Sequence, residues 1–399
     1  MSNQLIQHNS SLSKPISSSK TTITDFNIHR LLGEGAYGKV LYAQSKKTLK
    51  EYAIKSIDKF FLSKLNKIHE AFIEREMLSS ILSHPNIPKL ITSFQSKDKL
   101  YYVLPYFKNG SLQDLITKNG TLPYAQAQFY LAQIVNVFEY FETKNIAHLD
   151  IKPHNILIDN DNNIKVIDFA TATKIGCEYD MKRKMFVPKR SKYTYTDMVG
   201  TVEYASPEMI NGIVVNEKSC DLWALGVIMY QMFYGVTPFK ADTLSNTKEN
   251  ILQQKIHIND DVGENVNDLI LKLLNVDYKE RIGFQAIEQI KEHPFFEGVD
   301  FTNLNFQTMC YCVNANKNKH CEHTMCSYGS NSSCGDYCNI RETCYSDNCM
   351  DSCEEEDEKE KEKEEIAVHV IMKGNDCEIM KMVKKVNVNN NYINLFRNN

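Results

Sequence analysis

Long apolar runs are absent from this sequence of 399 residues. The longest, Leu222 to Val236, is interrupted by Gln231 and stops at about 15 residues, short of the roughly 18 to 20 that span a bilayer, so it reads as a core helix. The first ten residues, MSNQLIQHNS, have neither a basic start nor an apolar stretch, and no secretory signal is expected. Cysteine is scarce before residue 300: only Cys177 and Cys220 of the twelve occur there, whereas nine fall between Cys310 and Cys353. With no signal, those nine are expected as thiols or metal ligands rather than disulfides, in a chain of the cytoplasm or the nucleus. A dense basic stripe is also missing, which argues against nucleic acid as a partner. The net charge is −4, and the run Glu354 to Glu365, with nine acids and three lysines, more than accounts for it. What remains, 42% hydrophobic and 24% charged residues, is the balance of a globular protein with a sizeable core.

Residues 1–25 carry seven serines and little apolar material, and are expected to form a disordered arm. From Phe26 to Val299, β-type runs (Leu90 to Phe94, Leu100 to Leu104) give way to amphipathic helical runs (Ala125 to Thr143, Cys220 to Tyr234). The β signal and the glycines concentrate in the first hundred or so residues, which predicts an α+β domain of two lobes, a β-rich one over about 26–105 and a mainly helical one over about 106–299. Residues 300–399 read as a low-complexity tail, Cys-rich, then acidic, then Asn-rich, and mostly disordered.

Two motifs carry chemistry. Gly33-Glu34-Gly35-Ala36-Tyr37-Gly38-Lys39-Val40 is a glycine pattern between strand-like Leu31-Leu32 and Leu41-Tyr42. Such glycines let the backbone approach phosphates and aim its N–H groups at them, although alone the pattern is equally an ordinary turn. A dinucleotide site would need a helix next; instead a second β run leads to Tyr52-Ala53-Ile54-Lys55. The other motif is His148-Leu149-Asp150-Ile151-Lys152-Pro153-His154-Asn155, followed by Asp168-Phe169-Ala170. It sets a carboxylate, an ammonium and an amide on one loop, as phosphoryl transfer requires. Asp150 is expected to orient an acceptor hydroxyl and take its proton, Lys152 to neutralise γ-phosphate charge, and Asn155 with Asp168 to hold magnesium. Glu208 and Arg281 are expected as a buried ion pair bracing the larger lobe.

Together with Ser206-Pro207-Glu208 and Asp221-Leu222-Trp223-Ala224-Leu225-Gly226, these motifs make residues 26–299 resemble a eukaryotic protein kinase, in the serine/threonine form given by Lys152. Within it, Glu51 to Lys55, Tyr106 to Leu112 and His293-Pro294-Phe295-Phe296 are similar to the AGC group, and most similar to its 3-phosphoinositide-dependent branch. The resemblance implies ATP and magnesium as cofactors and the activation loops of other AGC-type kinases as acceptors. It implies Glu74 as the ion-pair partner of Lys55, with Glu76 the alternative because one extra residue before His84-Pro85 blurs the register. It places Thr201 against Lys152 and Asp150 beside the substrate. ATP would contact Leu32, Gly33, Glu34, Gly35, Gly38, Val40, Ala53, Lys55, Leu157 and Asp168, with Leu104 as gatekeeper, the Pro105 carbonyl and Phe107 N–H at the purine edge, and Ser111 at the ribose. A docking pocket for a Phe-rich tail of the partner would be formed near Lys59, Leu62, Arg75, Gln95 and Leu100. Another AGC-like branch, or a scaffold without activity, are the competing readings.

Some positions depart from the family pattern. Leu149 stands where an arginine usually pairs with an activation-loop phosphate, and Asp197 stands at the phosphorylated position, near Thr194 and Thr196. A loop held active without phosphorylation is therefore expected. Ala170 replaces a glycine. Lys182, Arg183, Lys184, Lys189, Arg190 and Lys192 read as a solvated loop, with a docking surface the alternative. The tail residues Cys321, His323, Cys326, Cys334 and Cys338 lack the C-x-x-C knuckle of a zinc site, and nothing in 306–399 has the strand alternation of a lipid-binding domain, so phosphoinositide binding is not expected.

Overall fold

Alternating apolar positions build a five-stranded antiparallel sheet from β1 (Phe26–Gly35), β2 (Gly38–Ser45), β3 (Glu51–Asp58), β4 (Thr92–Gln95) and β5 (Lys99–Pro105), in the order β1-β2-β3-β5-β4. The computed structural model describes residues 21–35, 38–189, 202–213 and 216–304. All belong to the first of two units, Met1–Lys319; the second, His320–Asn399, lies outside the described residues, as do the tail cysteines, Thr194, Thr196, Asp197 and Thr201.

The period of two assigns the sheet's faces. Phe26, Ala43, Ile54, Tyr101 and Val103 form a buried cluster on one side. On the other, ladder pairing sets Val40 opposite Lys55 and Ala53 opposite Leu104, so these four side chains share one face. Two helices follow β3: α1 (Lys59–Lys64), whose N-terminus Asp58 caps, and α2 (Ile68–Glu76). Tyr102, on the same sheet face as Lys55, donates its hydroxyl to the Ala71 carbonyl at 2.6 Å and ties α2 to the sheet.

The second lobe contains α3 (Leu112–Asn119), α4 (Tyr124–Lys144), short strands β6 (Ile146–Ala147), β7 (Ile156–Ile158), β8 (Ile164–Val166), β9 (Thr173–Lys174), β10 (Cys177–Asp180) and β11 (Met185–Pro188), then α5 (Pro207–Ile210), α6 (Glu217–Tyr234), α7 (Leu244–Leu252), α8 (Glu264–Leu273) and α9 (Glu288–Lys291). The apolar run read as a core helix is α6, which is buried over most of its length. It passes so close to α8 that a Cβ on Gly226 would stand 2.8 Å from Leu274 Cδ2 and 2.9 Å from Leu273 Cβ. Gly226→Ala is expected to cost about 1–3 kcal/mol through overpacking, read as a lowered denaturation midpoint with unchanged slope.

The folded segment extends beyond 26–299 at both ends. Ile23, the apolar residue of a capped turn over Ile23–Asp25, packs against the Phe26 cluster. Phe301 packs on Phe296 at 5.3 Å, and its carbonyl accepts from Asn136 Nδ2 at 2.8 Å. Lys182, Arg183 and Lys184 lie exposed in a turn, as expected, but the segment that carries them is a hairpin in which β10 and β11 pair, with Tyr179 edge-on to Phe186 at 5.2 Å; Lys189 is half-buried against Glu217, and Arg190 and Lys192 lie outside the described residues. Among the described residues no helix is long and apolar enough to cross a membrane.

Candidate active site

β3, α2 and the segment after β8 bring three charges together. Lys55 Nζ lies 2.7 Å from Glu74 Oε1 and 2.8 Å from Asp168 Oδ1. Of the two candidate partners it is Glu74 that meets Lys55. The extra residue ahead of His84-Pro85 is absorbed by a π turn over Met77–Ile81, closed by Leu82 N–H donating to the Met77 carbonyl, which leaves the phase of α2 intact. Burial alone would depress the Lys55 ammonium, but Asp168 and Glu74 outweigh it and hold it above its ordinary value. Burial likewise pushes Asp168 up, and Lys55 overrides it, keeping the carboxyl below its usual range. Asp168 sits at φ +64°, an unfavourable left-handed conformation for a side chain with a Cβ. Ala170 lies beyond it in a turn over Phe169–Thr171 with ordinary φ, so no glycine is needed there.

Between β6 and β7 runs the loop bearing Asp150. Its carboxylate accepts from Lys152 Nζ at 3.0 and 2.8 Å and from Asn155 Nδ2 at 2.9 Å. Asn155 Nδ2 also donates to the Asp150 carbonyl, so the amide nitrogen is spent within the loop and the carbonyl Oδ1 remains for a cation. Asn155 Oδ1 and the Asp168 carboxylate are hard oxygen donors, the type magnesium prefers. No three His, Cys, Asp or Glu side chains gather as a metal cage among the described residues, and a two-donor site suits an ion that completes its shell with water and phosphate oxygens.

The glycines divide by cause. A Cβ on Gly38 would lie 2.7 Å from the Ser56 carbonyl oxygen, so the sheet itself demands that glycine. At Gly33 a Cβ would meet no described atom within 4 Å, so packing within the described residues does not require a glycine there. Gly35 meets only the Gly38 carbonyl, at 3.9 Å. Glu34, on the exposed strand end, pairs with Lys39 at 3.1 Å. Leu32 sits at a bulge in β1, Leu104 and Pro105 end β5, Phe107 follows, and half-buried Leu157 is bridged to Ser111.

A family model for the protein kinase domain matches residues 26–296. The chain belongs to the protein kinase family. It is 37% identical to mouse 3-phosphoinositide-dependent protein kinase 1 over 309 residues, covering 77% of this chain and 53% of the relative. It is 36% identical to Schizosaccharomyces pombe serine/threonine-protein kinase ksg1 over 282 residues (70% and 47%) and 35% identical to Saccharomyces cerevisiae cAMP-dependent protein kinase type 3 over 289 residues (72% and 68%). The chain thus spans about half the length of the mouse and human 3-phosphoinositide-dependent protein kinase 1.

Two residues of the kinase domain act otherwise than their motifs suggest. Ser111 caps α3: its Oγ accepts from Asp114 N–H at 3.1 Å, and its own N–H and hydroxyl both donate to Asp114 Oδ2 at 2.7 Å. The hydroxyl expected at a ribose is therefore committed to a capping box, a use visible in the Ser-x-x-Asp spacing. Asp221, which opens the Asp221 to Gly226 motif with no role of its own assigned, accepts from the N–H groups of His148 at 2.7 Å and Leu149 at 2.8 Å. It thereby fixes the start of the Asp150 loop, where Leu149 is held at φ +66°. The contact spans about seventy residues, so local spacing gives no signal of it.

Burial pushes the Asp221 carboxyl up to about 6. When it protonates, one of its two oxygens becomes a donor and can no longer accept an N–H of the loop. Activity is expected to fall as pH drops through about 6, and the step should vanish from the pH–rate profile of Asp221→Asn. Stability moves oppositely. A raised carboxyl costs the fold most above about 6, and that cost fades as pH falls towards the unfolded value of about 3.9. A rate loss near pH 6 that Asp221→Asn removes, with no parallel drop in melting temperature, distinguishes this group from Glu74, whose carboxyl burial pushes up to about 7.

The docking residues are only partly assembled at a surface. Lys59 Nζ donates to Gln95 Oε1 at 2.7 Å, and Gln95 faces Leu100 across β4 and β5. Arg75 is exposed on α2. Leu62, however, has 0% exposure, because it is the residue of α1 that packs into the lobe, so it offers a peptide no contact in this conformation. Its helix neighbours Phe60 and Phe61, at 46% and 45% exposure, are the apolar groups that reach solvent.

Proposed function

We propose that this chain transfers the γ-phosphate of ATP, with magnesium, to serine or threonine hydroxyls of proteins, and that its acceptors are activation loops of AGC-type kinases inside the cell. The observation that carries this is the convergence of Lys55, Glu74 and Asp168 beside an Asp150 carboxylate already held by Lys152 and Asn155. Asp150 orients the attacking hydroxyl and accepts its proton, Lys152 stabilises charge on the transferred group, and Lys55, fixed by Glu74, binds the phosphates. Asn155 Oδ1 and Asp168 would hold magnesium, which supplies neutralisation of phosphate charge. Leu32, Val40, Ala53 and Leu157 would enclose the base below Leu104, with the Pro105 carbonyl and Phe107 N–H at its edge and Gly33 and Gly35 over the phosphates. Thr201 is assigned to contact Lys152 and Asp150 from outside the described residues. Lys59, Arg75, Gln95 and Leu100 are proposed to receive an acceptor kinase's apolar tail.

The test is transfer of γ-labelled phosphate to activation-loop peptides with and without an appended Phe-rich tail. The reading requires magnesium-dependent labelling of serine or threonine, stronger with the tail. Labelling that ignores the tail would remove the docking assignment, and absence of labelling would remove the phosphotransferase.

A further inference from the structure

One face of α6 holds two separate segments of the site. Glu217, in the first turn, and Asp221 lie one turn apart on that face. Asp221 accepts from the N–H groups of His148 and Leu149 and so fixes the start of the Asp150 loop. Glu217 receives the segment that follows Asp168.

Beyond Asp168, β9 pairs with β6 and the chain turns at Gly176, which has φ +72°. The Gly176 N–H donates to Glu217 Oε2 at 3.2 Å, and the Lys189 ammonium pairs with Glu217 Oε1. Lys189 N–H in turn donates to the Gly176 carbonyl at 3.0 Å, closing the neck of the β10–β11 hairpin. One carboxylate thus takes hold of the hairpin both where the chain enters it and where the chain leaves. Glu217 is 2% exposed, and removing one member of an ion pair in such surroundings is costly. Residues 190–201, among them Thr201, connect Lys189 to the turn Val202–Tyr204. That turn is fixed to the same helix, since Tyr204 donates its hydroxyl to Gln231 Oε1 at 2.6 Å. The stretch that bears Thr201 is therefore attached, at Lys189 and at Tyr204, to the helix that also fixes the Asp150 loop.

We infer that Glu217 is a positioning residue for the protein acceptor: by holding the neck of the β10–β11 hairpin on α6, it sets where the chain departs towards Thr201 relative to the Asp150 loop. The inference rests on the phosphotransferase reading and on the role assigned there to Thr201. Glu217 touches no substrate and acts only through the hairpin.

Glu217→Gln keeps an acceptor for Gly176 and removes the charge. Lys189→Met removes the cation and leaves α6 untouched, so it reports even if a change at Glu217 disturbs the helix. In the full chain, each is expected to lower kcat/KM for an activation-loop peptide about 10- to 100-fold, the worth of a hydrogen bond to a charged group, with KM for ATP within about twofold of the parent. The double variant, which buries no lone charge, should be no worse than either single one, and Lys189→Arg, which keeps the cation, should approach the parent. Amide exchange across residues 177–188, measured without nucleotide, should speed up in both single variants while exchange in α4 stays at the parent's rate. Unchanged hairpin exchange, additive losses in the double variant, or an equal rise in KM for ATP overturns the inference. Faster exchange with labelling as in the parent overturns it too, and leaves Glu217 a purely structural residue. If the parent itself labels no peptide, the phosphotransferase reading falls and takes the inference with it.

Discussion

Asp150→Asn is expected to lower phosphoryl transfer by at least about 10²- to 10⁴-fold, the usual contribution of a positioned proton acceptor, while ATP still binds. Asparagine is nearly isosteric, so the loop's shape is retained. The carboxylate, however, accepts at once from Lys152 and Asn155, and a neutral amide replaces one acceptor oxygen with a donor that faces those same donors. The loss should therefore appear in kcat, with nucleotide affinity within a few-fold of the parent. Comparable labelling of a peptide by parent and variant would show that Asp150 takes no part in the reaction.

Arg281→Met is expected to be the most destabilising single change described here, by about 3–5 kcal/mol, because it leaves a buried carboxylate without its cation. Arg281 donates to Glu208 Oε1 at 2.8 Å and Oε2 at 3.2 Å, and to the carbonyls of Asn275 and Ser219; its guanidinium also lies over Trp223 at 5.1 Å. In the variant the Ser219 hydroxyl, at 2.7 Å, and the Cys220 thiol, a weak donor at 3.8 Å, still reach Glu208 Oε1, and neither carries a charge. A melting temperature lower by roughly 6–20 °C follows for a domain of this size. The pH dependence has a definite sign. In the parent, burial would raise Glu208 but Arg281 holds it below the ordinary carboxylate value, so the pair's contribution is present above about 4.3 and fades in acid. In the variant the same carboxyl is raised, its cost is felt at neutral pH, and acid relieves it. The difference in melting temperature between the two proteins should therefore narrow as pH falls from 7 towards 5.

Lys55, Asp150, Asn155 and Asp168 are legible in the sequence as one set because the chemistry fixes their spacing within a strand or loop, and the Glu208–Arg281 pair is legible from its motif. What escapes depends on contacts or phases that spacing does not encode. Glu74 and Glu76 are separated only by the π turn after α2, which takes up a residue without shifting the helix. The grip of Asp221 on His148 and Leu149 joins segments far apart in the chain. The β10–β11 hairpin is hidden because each strand is four residues long and the lysines of its turn dominate the composition. Leu62 reads as a pocket floor by position, yet the helical phase of α1 turns it wholly inward.

The most direct measurement is an experimental structure of the full chain with magnesium and a non-hydrolysable ATP analogue. The account predicts phosphate oxygens between Gly33–Gly35 and Lys55 Nζ, Lys55 still on Glu74, and a cation on Asn155 Oδ1 and Asp168. A nucleotide bound elsewhere, or a cation that touches neither Asn155 nor Asp168, would contradict it.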